Sequence, residues 1–278
     1  MSGISINSNL NAVSAQRNLN QASGSLNERL EQLASALEIN DASDDAAGLA
    51  ISEGLRSQIR GASQALQNTQ DGISLIQTAE GGAEVVTDNL QRIRELSLQA
   101  ANGSLGDSER GIIQEEVNQL VEQIDSTTEQ VEFNGRNLLN GDISEANGGA
   151  EIQSGANRDD TVNLTVEAQD SNSLGVQGVD LTTAEGAQQA VEDTTNAINQ
   201  VSTERAELGA QQNRLESTVD FLQITEENQQ ASESRIRDAD LAEVTTERAA
   251  DTIRTQSSAS VLAQANNLQG QSALQLLG

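Results

Sequence analysis

The sequence lacks cysteine, histidine, proline, tryptophan, tyrosine and lysine altogether, and it contains only two phenylalanines. These absences exclude zinc fingers, thiol nucleophiles, imidazole bases, lysine Schiff bases and the lysine of a phosphate-binding loop. Catalysis would have to rely on carboxylates, hydroxyls and arginine, and the pockets that tune such groups are usually rich in aromatic side chains. We therefore predict that the chain is not an enzyme and that it binds no cofactor or metal ion.

Positive charge is also scarce, since 15 arginines stand against 43 carboxylates and give the 278 residues a net charge of −28. Such acidity argues against nucleic acid and anionic membranes as partners. No segment approaches the roughly 18 apolar residues of a membrane span, and no amino-terminal signal-peptide pattern is visible. An acidic surface without lysine fits two interpretations, a halophilic protein and an ordinary solvated acidic face.

Because aromatic side chains are almost absent, aliphatic residues and alanine must form the core, which favours long helices packed side by side. The clearest pattern is a seam of apolar positions in steps of three or four residues, which is typical of a coiled coil. Capping residues precede this seam at 40–48, and glycine-rich segments end it at 101–107. Its positions are Ile51, Leu55, Ile59, Ala62, Leu66, Thr69, Ile73, Ile76, Ala79, Ala83, Val86, Leu90 and Ile93.

A shorter helix follows the first seam, with Asp107 or Ser108 as its expected N-cap. Two Asn-Gly pairs within 133–142 predict turns, and the alternating segment 161–168 predicts a strand of a small β-hairpin. A second and more polar seam begins near Thr183, and we expect it to run antiparallel to the first. Its positions are Thr194, Ile198, Val201, Arg205, Leu208, Gln212, Leu215, Val219, Leu222 and Glu226.

Both ends of the chain are amphipathic, with isolated aliphatic residues in a polar background. A one-sided stripe of this kind buries too little apolar area to offset the conformational entropy of ordering a separate tail. The pattern alone leaves three interpretations open: a monomeric helical bundle, a coiled-coil dimer, and a chain that polymerises through its two ends.

Six sequence motifs are distributed over nearly the whole chain, namely 26–82 (beginning LNERLEQLASALEINDASDDAAG), 90–103 (LQRIRELSLQAANG), 133–139 (FNGRNLL), 152–157 (IQSGAN), 233–244 (ESRIRDADLAEV) and 260–277 (SVLAQANNLQGQSALQLL). These motifs resemble those of bacterial flagellins, the subunits of the flagellar filament, and they occur in the family's order. Hook–filament junction proteins share the terminal motifs but resemble the central ones less well.

The resemblance implies a mainly α-helical fold in which long antiparallel coiled-coil helices form a tail coiled coil and a rod-like domain with a small β-hairpin region. Because 141–180 stands where many flagellins insert large outer domains, the chain resembles a minimal flagellin. The implied segments are 1–43 and 237–278 as the two halves of the tail coiled coil, 44–140 and 183–236 as the two parts of the rod-like domain, and 141–182 as the hairpin region.

The same resemblance implies a structural subunit that self-assembles through its terminal helices into the extracellular flagellar filament used for swimming. Its implied partners are further copies of the chain, an export chaperone, and cap and junction proteins. The alternatives are a hook–filament junction protein or another coiled-coil scaffold, and a carboxylate-dependent peptidoglycan hydrolase, for which 141–180 leaves no room. The residues expected to carry polymerisation are Ile6, Leu10, Val13, Leu262, Leu268, Leu274, Leu276 and Leu277.

A second candidate surface lies on the long helix, in the motif QRIREL at 91–96. In flagellins the corresponding face contacts a neighbouring subunit, and in many of them it is also bound by the vertebrate Toll-like receptor that senses flagellin. The motif match carries these roles to Arg92, Leu96 and, from the motif IIQEEV, Glu116. The alternative is a solvated helix face on which Asp88 and Arg92, four residues apart, form a weak ion pair.

Three pairs of acidic residues resemble divalent cation sites, but none shows the spacing of a calcium loop, and we interpret them as helix caps and turn residues. Two further positions depart from the flagellin pattern, because Glu38 and Ser43 stand where the family commonly has basic residues. We interpret this departure, together with the absence of lysine, as adaptation to salt. The acidic pairs are Asp44–Asp45, Asp159–Asp160 and Asp238–Asp240.

Overall fold

A computed structural model describes residues 9–277, except for the side chains of Gln269 and of 272–277. Most of the described residues belong to helices, as the sequence pattern predicts, so the expected mainly α-helical fold is confirmed. None of the described helices combines the length and the apolar composition that crossing a membrane requires. The long helices are α1 (Leu10–Ser35), α2 (Ala46–Ala100), α3 (Asp107–Gln130), α4 (Ala184–Arg237) and α5 (Leu241–Leu277).

Two small antiparallel hairpins lie between α3 and α4 in the chain. The loop of the first hairpin consists of Asn134 and Gly135, which have φ angles of 50° and 77°. Positive φ at both positions is what the tight two-residue loop requires, so the predicted Asn-Gly turn is confirmed. The paired strands are β1 (Glu132–Phe133) with β2 (Arg136–Asn137), and β3 (Ala150–Gln153) with β4 (Thr161–Leu164).

The chain divides into two compact units. The first unit contains the residues up to Ser57 and from Asn228 onwards, and the second contains Gln58–Glu227. The first unit therefore combines an amino-terminal and a carboxy-terminal part of the chain, whereas the second is one continuous segment. The finer division into five segments, which comes from the flagellin resemblance, stays a prediction.

The core of the second unit joins α2, α3 and α4. At one end of this core, Ala62 of α2 clusters with Leu222 of α4. Farther along α2, Ile93 belongs to the cluster that contains Ala197 of α4. As the residue number increases along α2, the residue number of its partner on α4 decreases. This confirms the expected antiparallel pairing.

The second seam is buried at every seventh residue of α4, while the positions between are only half-buried. Three polar residues of the seam, Arg205, Gln212 and Glu226, occupy half-buried positions, where water remains within reach. The polar character that weakens the seam in the sequence therefore falls at its edge. The buried positions are Thr194, Val201, Leu208, Leu215 and Leu222.

Side chains of α4 hold the extended segment that follows β4. The amide of Gln211 accepts a hydrogen bond from the N–H of Thr165 (3.2 Å) and donates one to its carbonyl (3.0 Å), as a neighbouring strand would. Two turns earlier, the Glu204 carboxylate accepts a hydrogen bond from the N–H of Glu167 (3.0 Å). The main-chain groups of this segment are thus paired by side chains of α4 and not by a third strand.

The carboxyl group of Glu204 is buried beside a cavity of about 270 Å³ that no cationic side chain lines. Burial raises the pKa of Glu204, the hydrogen bond from Glu167 opposes this shift, and the carboxylates of Glu207 and Glu167 add to it. Because the pKa of Glu204 is higher in the folded chain than in the unfolded chain, its contribution to stability is fully present below the unfolded-state pKa. That contribution is lost as the pH rises through the folded-state pKa.

We expect the change Glu204→Gln to raise the free energy of unfolding at pH 7 by about 1 kcal/mol, because it removes a buried uncompensated charge and keeps the acceptor for Glu167. Urea unfolding at pH 7 and near pH 4 measures this gain, which we expect to vanish at the lower pH. The matched control is Glu192→Gln, which removes an exposed carboxylate of the same helix that does not contribute to the shift at Glu204. A Glu204→Gln chain that is less stable at pH 7, or a gain that persists in acid, would contradict the expectation.

The connection between α2 and α3 is closed by a buried arginine that the sequence pattern does not single out. Arg110 donates from Nε to the carbonyl of Ala100 (3.0 Å) and from a terminal nitrogen to the carbonyl of Asn102 (3.3 Å). It therefore satisfies carbonyl groups at the end of α2. Gly106 is the N-cap of α3 and makes no side-chain capping bond, so the expected capping by Asp107 or Ser108 is wrong.

Candidate assembly surface

In the first unit, α1 and α5 pack against each other in antiparallel directions. The side chain of Asn9, the N-cap of α1, donates to the carbonyl of Ala265 (3.2 Å). Farther along the pair, Arg29 and Glu247 form an ion pair of 2.9 Å. The first contact joins the beginning of α1 to the later part of α5, and the second joins the later part of α1 to the beginning of α5.

The turns at the base of this helix pair are held by main-chain and ionic contacts. The backbone N–H of Glu38 donates to the carbonyl of Arg237 (2.7 Å), and the side chain of Arg237 forms a 3.0 Å ion pair with Glu53. Glu53 also pairs with Arg56 at 2.9 Å. The hydrogen bond from Arg237, followed by the charge of Arg56, lowers the pKa of Glu53. The carboxylate of Glu53 is therefore ionised at neutral pH and holds both guanidinium groups.

The buried residues of the helix pair are mostly small or polar. On α1 the fully buried residues are Ala15, Ala22 and Gln32. On α5, Val244 and Asp251 are buried. Burial of these residues removes little apolar area from water, because most of them have short or polar side chains.

Seven of the described large aliphatic residues of the same two helices are exposed, whereas Val244 is buried and Leu19, Leu26, Leu33 and Leu262 are half-buried. Exposed apolar side chains in this number mark contacts with other molecules when they cluster. We name this set the tail aliphatic surface. Its members, with their exposed fractions, are Leu10 (74%), Val13 (53%), Leu30 (45%), Leu241 (48%), Ile253 (64%), Val261 (56%) and Leu268 (60%).

The structure brings three of the residues predicted for polymerisation onto this surface, namely Leu10, Val13 and Leu268, and it places Leu262 half-buried. Ile6 and the side chains of Leu274, Leu276 and Leu277 lie outside the described residues. The sequence pattern misses the remaining four members because it treats the aliphatic residues of each tail as one inward-facing stripe. The members missed are Leu30, Leu241, Ile253 and Val261.

The acidic pairs serve as caps and turn residues, as their sequence context predicts. The carboxylate of Asp240 accepts from the N–H of Ala242 (2.9 Å) at the start of α5. Similar bonds run from the N–H of Asn40 to Asp44 (2.9 Å) and from the N–H of Asn157 to Asp160 (3.1 Å). Within the described residues, no group of three or more acidic side chains is arranged to hold a metal ion.

On the second unit, Arg92 and Glu116 form an exposed pair between α2 and α3, with 2.6 Å between a terminal guanidinium nitrogen and Oε1. Arg92 also pairs with Glu95 at 3.3 Å. The hydrogen bond to Glu116, followed by that to Glu95, raises the pKa of Arg92. The Asp88–Arg92 pair of the alternative interpretation is replaced by these two contacts.

The third residue predicted for this face, Leu96, is only 2% exposed and belongs to the core of the second unit. It therefore belongs to the interior, in the cluster that contains Ile113 and Val117 of α3, and is not part of the exposed face. Two other aliphatic residues nearby in the sequence, Leu98 and Ile112, are 52% and 71% exposed.

Comparison with protein families gives two matches that together span most of the chain. Residues 6–144 match the model of the bacterial flagellin N-terminal helical region. Residues 191–277 match the model of the bacterial flagellin C-terminal helical region. The two matched regions contain α1 to α3 and most of α4 and α5.

Characterised relatives match over almost their full length. The flagellar filament core protein flaB2 of Brachyspira hyodysenteriae is 42% identical over 283 residues, with 98% of this chain and 99% of the relative covered. The flagellin of Halalkalibacterium halodurans is 42% identical with the same coverage. The flagellin of Bacillus subtilis is 39% identical, again with 98% and 99% covered.

Among solved structures, a flagellar hook-associated protein of Vibrio parahaemolyticus covers 70% of this chain and all of that one, with a TM-score of 0.58 and 16% identity. This likeness concerns the fold. The flagellin of Bacillus cereus is 29% identical and covers 56% of this chain and 88% of that one, with a TM-score of 0.48.

Proposed function

Since the chain belongs to the bacterial flagellin family and is a structural subunit of the flagellar filament, we propose that its copies join through the tail aliphatic surface of α1 and α5. The family is structural rather than enzymatic, and the filament that its members form lies outside the cell. Neighbouring copies that cover this surface gain about 1.5–3 kcal/mol for each large aliphatic side chain that becomes fully buried. The exposed large aliphatic residues are the observation that carries the proposal.

The positions of these residues around the helices favour a polymer over a dimer. At about 100° per residue, Ile253 and Val261 lie about 120° and 200° around α5 from Leu241. On α1, Leu30 lies about 200° around the helix from Leu10. A twofold dimer offers each chain one partner surface, whereas a helical assembly surrounds it with several neighbours. The wide distribution therefore supports packing against more than one copy.

Deletion of residues 262–278 tests the role of the tails. The deletion removes Leu262 and Leu268 together with the end of α5. Loss of filaments is the expected result. Filaments that survive the deletion would favour the alternative of a coiled-coil scaffold whose assembly uses other surfaces.

The Arg92–Glu116 face is a second contact between copies. Its support is the exposed ion pair on a rigid two-helix platform, with Leu96 in the core cluster that both helices share. The same exposed pair is also the candidate contact for the vertebrate Toll-like receptor. In either role Leu96 acts by holding the platform, because its side chain is covered within the chain itself.

We expect Arg92→Ala to leave the thermal unfolding of the subunit nearly unchanged, since an exposed ion pair contributes about 0.2–1 kcal/mol. The critical concentration for filament growth should rise about threefold to tenfold, because the substitution removes a contact repeated at every subunit. Light scattering across a dilution series measures this concentration. Arg214→Ala, which removes an exposed arginine of α4, is the control, and equal critical concentrations for the two variants would favour a solvated face.

Membership of the family supports the remaining partners. They are an export chaperone that binds the subunit before secretion, a cap at the filament tip and junction proteins at its base.

Residues 1–43 and 237–278 form the two halves of the tail coiled coil, and the residues between them form the rod-like domain and its hairpins. Adaptation to salt stays a prediction from composition.

A further inference from the structure

Four Asn-Gly pairs occur in the chain, and such pairs are chemically labile. The backbone nitrogen of the glycine can attack Cγ of the asparagine, because glycine has no Cβ to obstruct the approach. An N–C bond forms, the side-chain amide leaves as ammonia, and a succinimide results. Water then adds to either carbonyl of the succinimide and opens it to aspartate or isoaspartate. The pairs begin at Asn102, Asn134, Asn140 and Asn147.

At two of these pairs, both reacting groups are restrained, namely the asparagine side chain and the following glycine. The side-chain nitrogen of Asn147 donates to the carbonyl of Gly141 (2.8 Å), and the attacking N–H of Gly148 donates to Glu145 (3.1 Å). The side-chain oxygen of Asn140 accepts from the N–H of Asp142 (2.9 Å), and the following Gly141 is buried. Attack at either site requires these contacts to break first.

At the third pair, hydrogen bonds restrain the asparagine, Asn102. Its side-chain oxygen accepts from the N–H and from the hydroxyl of Ser104, at 3.1 and 3.0 Å. Its own carbonyl accepts from Leu105 and from the buried Arg110. These bonds restrict the rotation that would bring the side chain to the next backbone nitrogen.

Asn134 differs from the other three. It is exposed, and among the described residues its side-chain amide has no hydrogen-bond partner. A Cβ at the following Gly135 would meet nothing within 4 Å, as is also true at Gly103 and Gly148, so the feature that sets Asn134 apart is its exposed side-chain amide without a partner among the described residues. The loop closes a short hairpin that contains the pairs Glu132 with Asn137 and Phe133 with Arg136 and the hydrogen bond from the N–H of Leu138 to the carbonyl of Val131 (3.0 Å). Asn134 lies at the exposed tip of this hairpin, where local opening disrupts the fewest contacts.

We propose that Asn134 is a site of spontaneous deamidation, and that in the native chain it converts to aspartate and isoaspartate faster than the other three asparagines of Asn-Gly pairs. The reaction consumes one water and releases one ammonia, and it needs no enzyme, oxidant or reductant. The product places another carboxylate next to Glu132. Isoaspartate also inserts an extra backbone carbon into a two-residue loop and disturbs the pairing of Phe133 with Arg136.

Trypsin separates Asn134 from the other three sites, because it cleaves only after arginine in this lysine-free sequence. Asn134 falls on the peptide 111–136, Asn102 on 95–110, and both Asn140 and Asn147 on 137–158. The full chain is incubated at mildly alkaline pH below its melting temperature, and each peptide is followed by mass spectrometry with chromatographic separation of isoaspartate.

We expect Asn134 to react about tenfold or more faster than Asn147, whose reaction must break two hydrogen bonds. In concentrated urea the four rates should converge, because the local sequence then governs all of them. Asn134→Gln is the matched variant and should remove the product from 111–136 only. A native Asn134 that reacts no faster than Asn140 or Asn147, or a rate order unchanged in urea, would overturn the proposal.

Discussion

A chain that ends at Val261 will form no filaments and will remain monomeric at concentrations at which the full chain polymerises. The deletion removes Leu268, a member of the tail aliphatic surface, and the hydrogen bond between Asn9 and Ala265. The beginning of α1 then loses its partner helix. Because assembly repeats each contact at every subunit, a loss of a few kcal/mol per copy raises the required concentration by several orders of magnitude.

Negative-stain electron microscopy and sedimentation of the purified proteins measure this outcome. The second unit, Gln58–Glu227, contains none of the deleted residues, so its unfolding transition should match that of the full chain. A matched control is Phe221→Gln, which removes an apolar residue that is 66% exposed on α4, against Leu268→Gln on α5. Filaments from the truncated chain, or equal losses from the two substitutions, would contradict assembly through the tails.

The sequence predicts the helices and their pairing well because the core of the second unit obeys one period. Residues such as Ile76 and Leu90 recur at seam spacing and are fully buried. The same rule fails at the tails, where Ala15 and Ala22 are buried while Leu10 and Ile253 are exposed. A pattern of aliphatic residues shows that a face avoids water, but it does not show whether the same chain or another copy covers it.

Tertiary ion pairs and caps are the other features that the sequence leaves open. Asp88 lies four residues before Arg92, yet the arginine binds Glu116, which comes 24 residues later on a different helix. The choice depends on how α2 and α3 pack, and the local spacing of charges carries no information on that. The motif match finds Arg92 and Glu116 together, but it also includes Leu96, whose burial only the packed structure reveals.

Replacement of Arg110 by methionine will lower the free energy of unfolding by about 3 kcal/mol, because the buried carbonyl of Ala100 loses the arginine donor and the carbonyl of Asn102 keeps only the N–H of Leu105. Methionine keeps the apolar stem, so the loss reports the guanidinium bonds to Ala100 and Asn102 rather than a cavity. Ala100 is completely buried, and water has no access there to replace the missing donor. The ion pair with Asp107, at 3.5 Å and with Asp107 almost fully exposed, adds little.

Urea unfolding followed by circular dichroism measures the effect, with Arg94→Met as the control. Arg94 is exposed and donates to the hydroxyl of Thr195 (3.2 Å), so its replacement changes the net charge equally but should cost less than about 0.5 kcal/mol. Arg110→Lys should fall between the two, since an ammonium group keeps the charge but lacks the planar fork that reaches both carbonyls. Equal stabilities of Arg110→Met and Arg94→Met would show that the end of α2 does not depend on this cap.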